Sequence, residues 1–95
     1  MDPLQHLREE LDSIDVHLIE TLGRRFTLCR QIAERKAALD IPMMQPARIE
    51  KAQARAAAGA LKYGLSESFM QELYQLIIAE ACRIETDLME KTGEQ

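Results

Sequence analysis

The sequence contains few of the residues that mark several classes of protein. It has no tryptophan, two tyrosines and two phenylalanines, so aliphatic side chains and alanine must form most of any core. No stretch approaches the roughly 18 consecutive apolar residues of a membrane span. The two cysteines, Cys29 and Cys82, lack CxxC or His/Cys ligand spacing and predict reduced thiols rather than a disulfide or a metal site. The N-terminal segment MDPLQHLREE has no apolar signal region, which favours a cytoplasmic protein.

Acidic residues outnumber basic ones, and the chain has a formal net charge of -4. A protein of this charge is not expected to bind nucleic acid as its main partner. The length of 95 residues is enough for one modest core, so we expect a single domain over residues 1–95.

Apolar residues recur at steps of three and four along most of the chain and predict three α-helices without strands. The first has Pro3 in its first turn and ends near Leu39, ahead of a proline that disfavours helical backbone in the residue before it. The second begins at Pro46 and ends at Gly64, and Ser66 caps the third. The sequence therefore predicts an all-α fold with one long helix and two shorter ones.

The first predicted helix is too long for a compact monomer. About 36 residues rise about 54 Å, whereas a globular chain of this length has a radius of gyration of only about 12–13 Å. The two shorter helices cannot cover so long an apolar stripe. We therefore predict an intertwined homodimer in which the long helices of two chains pack together.

Two basic side chains of the first helix fall among its apolar residues. At about 100° per residue, Arg25 lies within about 20° of Leu18, and Lys36 lies within about 20° of Arg25. An unpaired buried cation is costly, so both side chains either reach solvent at the edge of the stripe or meet an anion. In an antiparallel dimer, Arg8 of one chain would approach Arg25 of the other, and the joint after the helix would bring Arg48 nearby. Such cations would form a pocket for a small dicarboxylate.

The order and spacing of these residues resemble the all-helical chorismate mutase family. The resemblance covers roughly residues 4–90 and is carried by Leu7-Arg8-Glu9, Leu11, Ile14, Asp15, Arg24-Arg25, Lys36, Pro42, Arg48 and the block LYQLIIAE. That family is an entwined three-helix dimer with two active sites, each using one arginine from the partner subunit. The resemblance implies a Claisen rearrangement of chorismate to prephenate that uses neither a cofactor nor a metal.

The same resemblance implies a role for each charged residue. Arg25 and the Arg8 of the other subunit would bind substrate carboxylates, Arg48 would lie near the ring carboxylate, and Lys36 would donate to the ether oxygen. Glu85 stands where the family usually has a glutamine that donates to the same oxygen. A carboxylate cannot donate a hydrogen bond, so Glu85 must be protonated in the working enzyme, or else it is a solvated charge on the third helix.

Three positions that the family uses around ring carbon 4 are altered in this chain. An aspartate is usual where Gln45 stands, a glutamate where Ile49 stands, and often a serine where Ala81 stands. The segment PMMQPAR, with EACRIE at residues 80–85, resembles instead the 4-amino-4-deoxychorismate mutases of antibiotic pathways. Met44 in that segment is either a hinge-filling core residue or a contact of the substrate ring.

Two other functions are compatible with the pattern. Isochorismate pyruvate lyases use the same scaffold and also tend to have an apolar residue where Ile49 stands. A catalytically silent helical dimerisation module would explain the length of the first helix, but not cations in register with leucines. Replacing Arg25 by alanine would leave such a module intact, whereas it would cripple a mutase.

Overall fold

The computed structural model describes residues 2–93 and consists of three α-helices. α1 spans Gln5–Ala38, α2 spans Pro46–Tyr63 and α3 spans Glu67–Gly93. Residues 2–93 contain no strand, and the prediction of an all-α fold with one long and two shorter helices is confirmed. No helix in this range is long and apolar enough to cross a membrane.

The ends of α2 and the start of α3 follow local sequence signals. Pro46 lies in the first turn of α2, and Gly64 ends the helix in the left-handed conformation, with φ 67° and ψ 30°. The N–H of Gly64 donates to the carbonyl of Ala60. At the start of α3, the Ser66 hydroxyl accepts a hydrogen bond from the N–H of Phe69 at 3.2 Å. All three predicted signals are confirmed.

The start of α1 differs from the prediction, because the helix begins at Gln5 and not at Pro3. The N–H of Leu4 donates to Asp2 Oδ1 at 2.9 Å, and the N–H of Gln5 donates to the Asp2 carbonyl at 3.2 Å. These two bonds close a turn ahead of the helix. The prediction of Pro3 in the first helical turn is therefore wrong.

At its C-terminal end, α1 terminates in a turn that leads into the joint between α1 and α2, residues 39–45. Asp40 adopts a left-handed conformation with φ 57°, and the N–H of Ile41 donates to the Lys36 carbonyl at 2.8 Å. This six-to-one bond satisfies one of the last helical carbonyls and reverses the chain direction. Residues 39–45 then cross to the start of α2.

The three helices form an elongated body in which α3 packs against both α1 and α2. The described chain measures 61 × 27 × 16 Å and has a radius of gyration of 17.3 Å, against about 12 Å expected for a compact chain of this length. Its core is small and consists of Ala33, Ala56, Ala60, Ile77 and Ile84.

The first half of α1 extends beyond this core. Every residue from 2 to 21 is exposed within the chain. The predicted apolar stripe runs along this half, and Leu7, Leu11, Ile14 and Leu18 are between 55% and 62% exposed. About 25 cal/mol is gained per Å² of apolar surface removed from water, so leaving this stripe uncovered forgoes substantial stabilisation.

Candidate active site

A cavity of about 360 Å³ lies between the C-terminal half of α1, the start of α2 and the middle of α3. Eight of the nine predicted site residues line it. They are Arg25, Lys36, Met44, Gln45, Arg48, Ile49, Ala81 and Glu85. The fold thus brings together side chains from all three helices and from the joint between α1 and α2.

The first turn of α2 fixes one wall of the cavity. The Gln45 carbonyl accepts hydrogen bonds from the N–H groups of Arg48 at 3.0 Å and Ile49 at 3.3 Å. Pro46 has no N–H group and a restricted φ, so it suits the first helical position, directly after Gln45. The proline-bracketed joint therefore presents Gln45, Arg48 and Ile49 to the cavity from one helical turn.

Lys36 joins α1 to α3 and to the segment between α1 and α2. Its Nζ donates to the Met43 carbonyl at 2.8 Å and to Glu85 Oε1 at 3.1 Å. The Lys36 and Glu85 side chains are only 14% and 18% exposed, so neither side chain extends into bulk solvent. An ammonium group has three N–H donors, and these two bonds are the ones that Lys36 makes within the described part of the chain.

Arg25 is half-buried and is held by neutral groups. Its Nη1 lies 3.7 Å from Cys29 Sγ, and its guanidinium carbon lies 5.9 Å from the centre of the Phe26 ring and 6.0 Å from that of Tyr74. Among residues 2–91, Arg25 takes part in no ion pair with a carboxylate. A half-buried cation in this state is electrostatically suited to receive an anion.

Arg8 is the one predicted site residue that the single chain does not bring to the cavity. Its side chain is 66% exposed, and Nη1 pairs with Asp2 Oδ2 at 3.1 Å. Arg8 precedes Arg25 by 17 positions of α1, or about 25 Å along the axis. Within one chain the two side chains cannot hold the same small molecule.

The sequence matches the family model of chorismate mutase type II over residues 7–86. The chain belongs to the chorismate mutase type II family. The family prediction is confirmed, and with it the enzyme class, an isomerase of the chorismate mutase type.

Two relatives of this chorismate mutase type II chain carry the same name. A 4-amino-4-deoxychorismate mutase of Streptomyces venezuelae is 46% identical over 88 residues, which cover 93% of this chain and 85% of the relative. A 4-amino-4-deoxychorismate mutase of Streptomyces pristinaespiralis is 39% identical over 92 residues, covering 97% and 71%. A chorismate mutase of Methanocaldococcus jannaschii is 23% identical over 92 residues, covering 97% and 93%.

Three contacts of the site were not predicted from the sequence. The Met43 carbonyl that accepts from Lys36 is a backbone group, and its direction depends on the turn at the end of α1. Cys29 lies four residues after Arg25, a helical spacing that would have indicated the contact. Tyr74 reaches Arg25 from α3 only because of how the two helices pack, and no local pattern shows this.

A second charged cluster lies on the exposed face of α3. The hydrogen bond from Arg83 lowers the pKa of Glu80, and Glu80 in turn raises the pKa of Arg83, which also pairs with Asp87 at 2.8 Å. These groups are solvent-exposed helix neighbours, and such pairs contribute little to stability. None of them lines the cavity. Across the residues that the structure describes, no cluster of His, Cys, Asp and Glu could hold a metal ion.

Proposed function

We propose that this isomerase converts 4-amino-4-deoxychorismate to 4-amino-4-deoxyprephenate by an intramolecular Claisen rearrangement. The two relatives that carry the name of this activity are 46% and 39% identical to the chain, whereas the relative named chorismate mutase is 23% identical. The observation that carries the proposal is the half-buried Arg25, without a carboxylate partner among residues 2–91, in one cavity with Arg48 and Lys36. Chorismate is the second candidate substrate, since it differs only at ring carbon 4.

The chemistry requires little besides positioning and charge stabilisation. The enol ether C–O bond breaks while a C–C bond forms within the same molecule, so no group, proton or electron has to enter or leave. The site must hold a compact conformer of the dianion and stabilise the negative charge that develops on the ether oxygen. The reaction itself therefore needs no cofactor.

Two arginines of the cavity are proposed to bind the substrate carboxylates. A guanidinium group donates two parallel N–H bonds to a carboxylate, which fixes orientation as well as position. Arg25 approaches from α1 and Arg48 from the first turn of α2, so the pair defines two directions in space. A dianion whose two carboxylates are held from these two directions has few orientations left.

Lys36 and Glu85 are proposed to act at the ether oxygen. Of the three donors of Lys36, two meet the Met43 carbonyl and Glu85, which leaves one for the substrate. Glu85 accepts from Lys36 as a carboxylate, and it can donate to the ether oxygen only as the protonated acid. The enzyme would thus combine a positive charge with a neutral donor at the atom where negative charge develops.

The site is proposed to be completed by Arg8 of a second chain in an intertwined homodimer. Three observations support this: the 61 Å length of the chain, the exposure of residues 2–21, and the apolar stripe along them. An antiparallel partner helix would cover the stripe and carry its own Arg8 toward the cavity. Arg8 would then exchange its exposed pairing with Asp2 for a substrate carboxylate.

The wall around ring carbon 4 is proposed to be formed by Gln45, Ile49 and Ala81. All three line the cavity, and Ile49 and Ala81 are half-buried. None of them is charged, so this wall offers no carboxylate to a 4-hydroxyl group. Met44 lines the cavity at 60% exposure, and we propose that it contacts the substrate ring.

The proposal is tested by offering the purified protein 4-amino-4-deoxychorismate, chorismate and isochorismate in parallel and separating the products. We expect rearrangement of the first with a kcat/KM at least about 10-fold above that for chorismate, a difference of about 1.4 kcal/mol in the barrier. Salicylate and pyruvate from isochorismate, as the fastest reaction, would instead identify a lyase. Turnover of none of the three would contradict the proposal and favour a silent dimerisation module.

A further inference from the structure

Arg25 is contacted by side chains of two helices, and only the Tyr74 contact joins α1 to α3. Cys29 and Phe26 lie on α1 with Arg25 itself, so they cannot set the guanidinium relative to α3. Tyr74 lies on α3, and its ring centre is 6.0 Å from the guanidinium carbon. Tyr74 is not among the residues that line the cavity, and its side chain is half-buried.

An aromatic ring can orient a guanidinium group without competing with a carboxylate ligand for its N–H donors. A guanidinium group meets an aromatic ring through its positive plane, whereas its five N–H donors point outward within that plane. A glutamate or aspartate in the place of Tyr74 would occupy those donors and neutralise the charge. The ring instead leaves both the donors and the charge available. Cys29 Sγ at 3.7 Å is a weak acceptor that an incoming carboxylate easily replaces.

We infer that Tyr74 is a positioning residue, whose ring holds the Arg25 guanidinium from α3 in the orientation that receives a substrate carboxylate. The inference rests on the proposed function of Arg25 as a carboxylate-binding residue. The ring face performs this task, and the phenolic hydroxyl does not. Without the ring, Arg25 would sample more rotamers, and binding would have to order it.

The first test compares Tyr74→Phe, which keeps the aromatic ring, with Tyr74→Leu, which removes the ring but keeps apolar bulk. We expect Tyr74→Phe to retain kcat/KM within about two-fold and Tyr74→Leu to lose about 3- to 30-fold, the range that a partly desolvated cation–π contact implies. The loss should appear mainly in KM, because a carboxylate contact exists in both the ground state and the transition state. Equal kinetics of the two variants would overturn the inference.

A double-mutant cycle separates positioning from a general change of the helix interface. In an Arg25→Ala background, Tyr74→Leu should cause no further loss of kcat/KM, because the group that it positions is gone. A loss of undiminished size in that background would show that Tyr74 acts on the site by another route and would refute the inference.

A spectroscopic readout makes the test independent of turnover. In wild type and Tyr74→Phe without added substrate, the aromatic ring should shift the Arg25 Nε–Hε NMR signal upfield, and Tyr74→Leu should remove most of that shift. The Phe26 contribution is common to all three proteins, and Arg25→Lys assigns the signal. If Tyr74→Leu does not fold, nuclear Overhauser contacts between the Arg25 Nε–Hε proton and the Tyr74 ring decide in the wild type, because they distinguish Tyr74 from Phe26. The absence of these contacts would overturn the inference. A wild type that turns over none of the three substrates refutes the proposed function, whereas an active wild type with an unshifted signal refutes only the inference.

Discussion

Replacing Arg25 by alanine should separate activity from stability. If Arg25 donates two charge-assisted hydrogen bonds to a substrate carboxylate, each contributes about 1.5–3 kcal/mol. Their loss amounts to about 3–6 kcal/mol, so kcat/KM should fall about 10²- to 10⁴-fold. This follows from the position of Arg25 in the cavity and from its lack of an ion-pair partner among residues 2–91.

The stability of the same variant should change little, because two effects oppose each other. Removing Arg25 loses its contacts with the Phe26 and Tyr74 rings, which are each worth about 0.5–2 kcal/mol. It also removes a half-buried charge, whose desolvation costs about 1–3 kcal/mol when it has no ionic partner. We expect the free energy of unfolding to stay within about 1 kcal/mol of wild type.

The assay combines initial rates on the preferred substrate with urea unfolding at one fixed chain concentration, since assembly of chains would contribute to stability. Arg24→Ala is the matched control, because Arg24 is the exposed neighbour on the same helix. It should change neither quantity. The reasoning is refuted if Arg25→Ala keeps its kcat/KM within about three-fold of wild type, or if it loses stability by as much as it loses transition-state binding.

Three further predictions concern the proton, the specificity wall and a helix end. Glu85→Gln should keep or raise kcat/KM on the preferred substrate, because a glutamine amide donates to the ether oxygen without needing a carboxyl proton; a variant with little activity left would refute the role. Ile49→Glu adds a hydrogen-bond acceptor for a 4-hydroxyl group and should raise kcat/KM for chorismate above the wild-type value; an unchanged or lower value would contradict the proposed wall. Gly64→Ala should lower the free energy of unfolding in urea by about 1 kcal/mol, because φ is 67°, a left-handed conformation that disfavours a Cβ atom. No atom lies within 4 Å of the added Cβ, so crowding adds nothing to this cost. Gly59→Ala, inside α2 with the same open space, should be stabilising by about the same amount.

The helix ends that could be predicted are those with a local cause. Proline at the first position of α2, Gly64 in a left-handed conformation and the Ser66 cap each act within one turn, so one sequence is enough to locate them. The prediction of the N-terminus of α1 was wrong because its local signal is ambiguous. Asp2 can cap either a helix or an isolated turn, and the bonds of Leu4 and Gln5 select the turn.

The site was predictable where regular geometry extends over many residues. A constant rotation per residue places Arg25 and Lys36 on one face of α1, and both line the cavity. What could not be predicted depends on how separate elements meet. The Tyr74 ring near Arg25 requires the packing of α3 on α1, and the Met43 carbonyl near Lys36 requires the turn at Asp40. The sequence contains no local record of either arrangement.

A mixing experiment tests most directly whether cations from two interlocked chains form one site. Arg8→Ala and Arg25→Ala chains should each be nearly inactive alone. When they are unfolded together and refolded as an equal mixture, about half of the dimers combine the two chains, and each of these has one site with both arginines intact. We expect about a quarter of the wild-type activity per chain to return. A mixture no more active than its parents, or a monomer with full activity, would contradict the shared site.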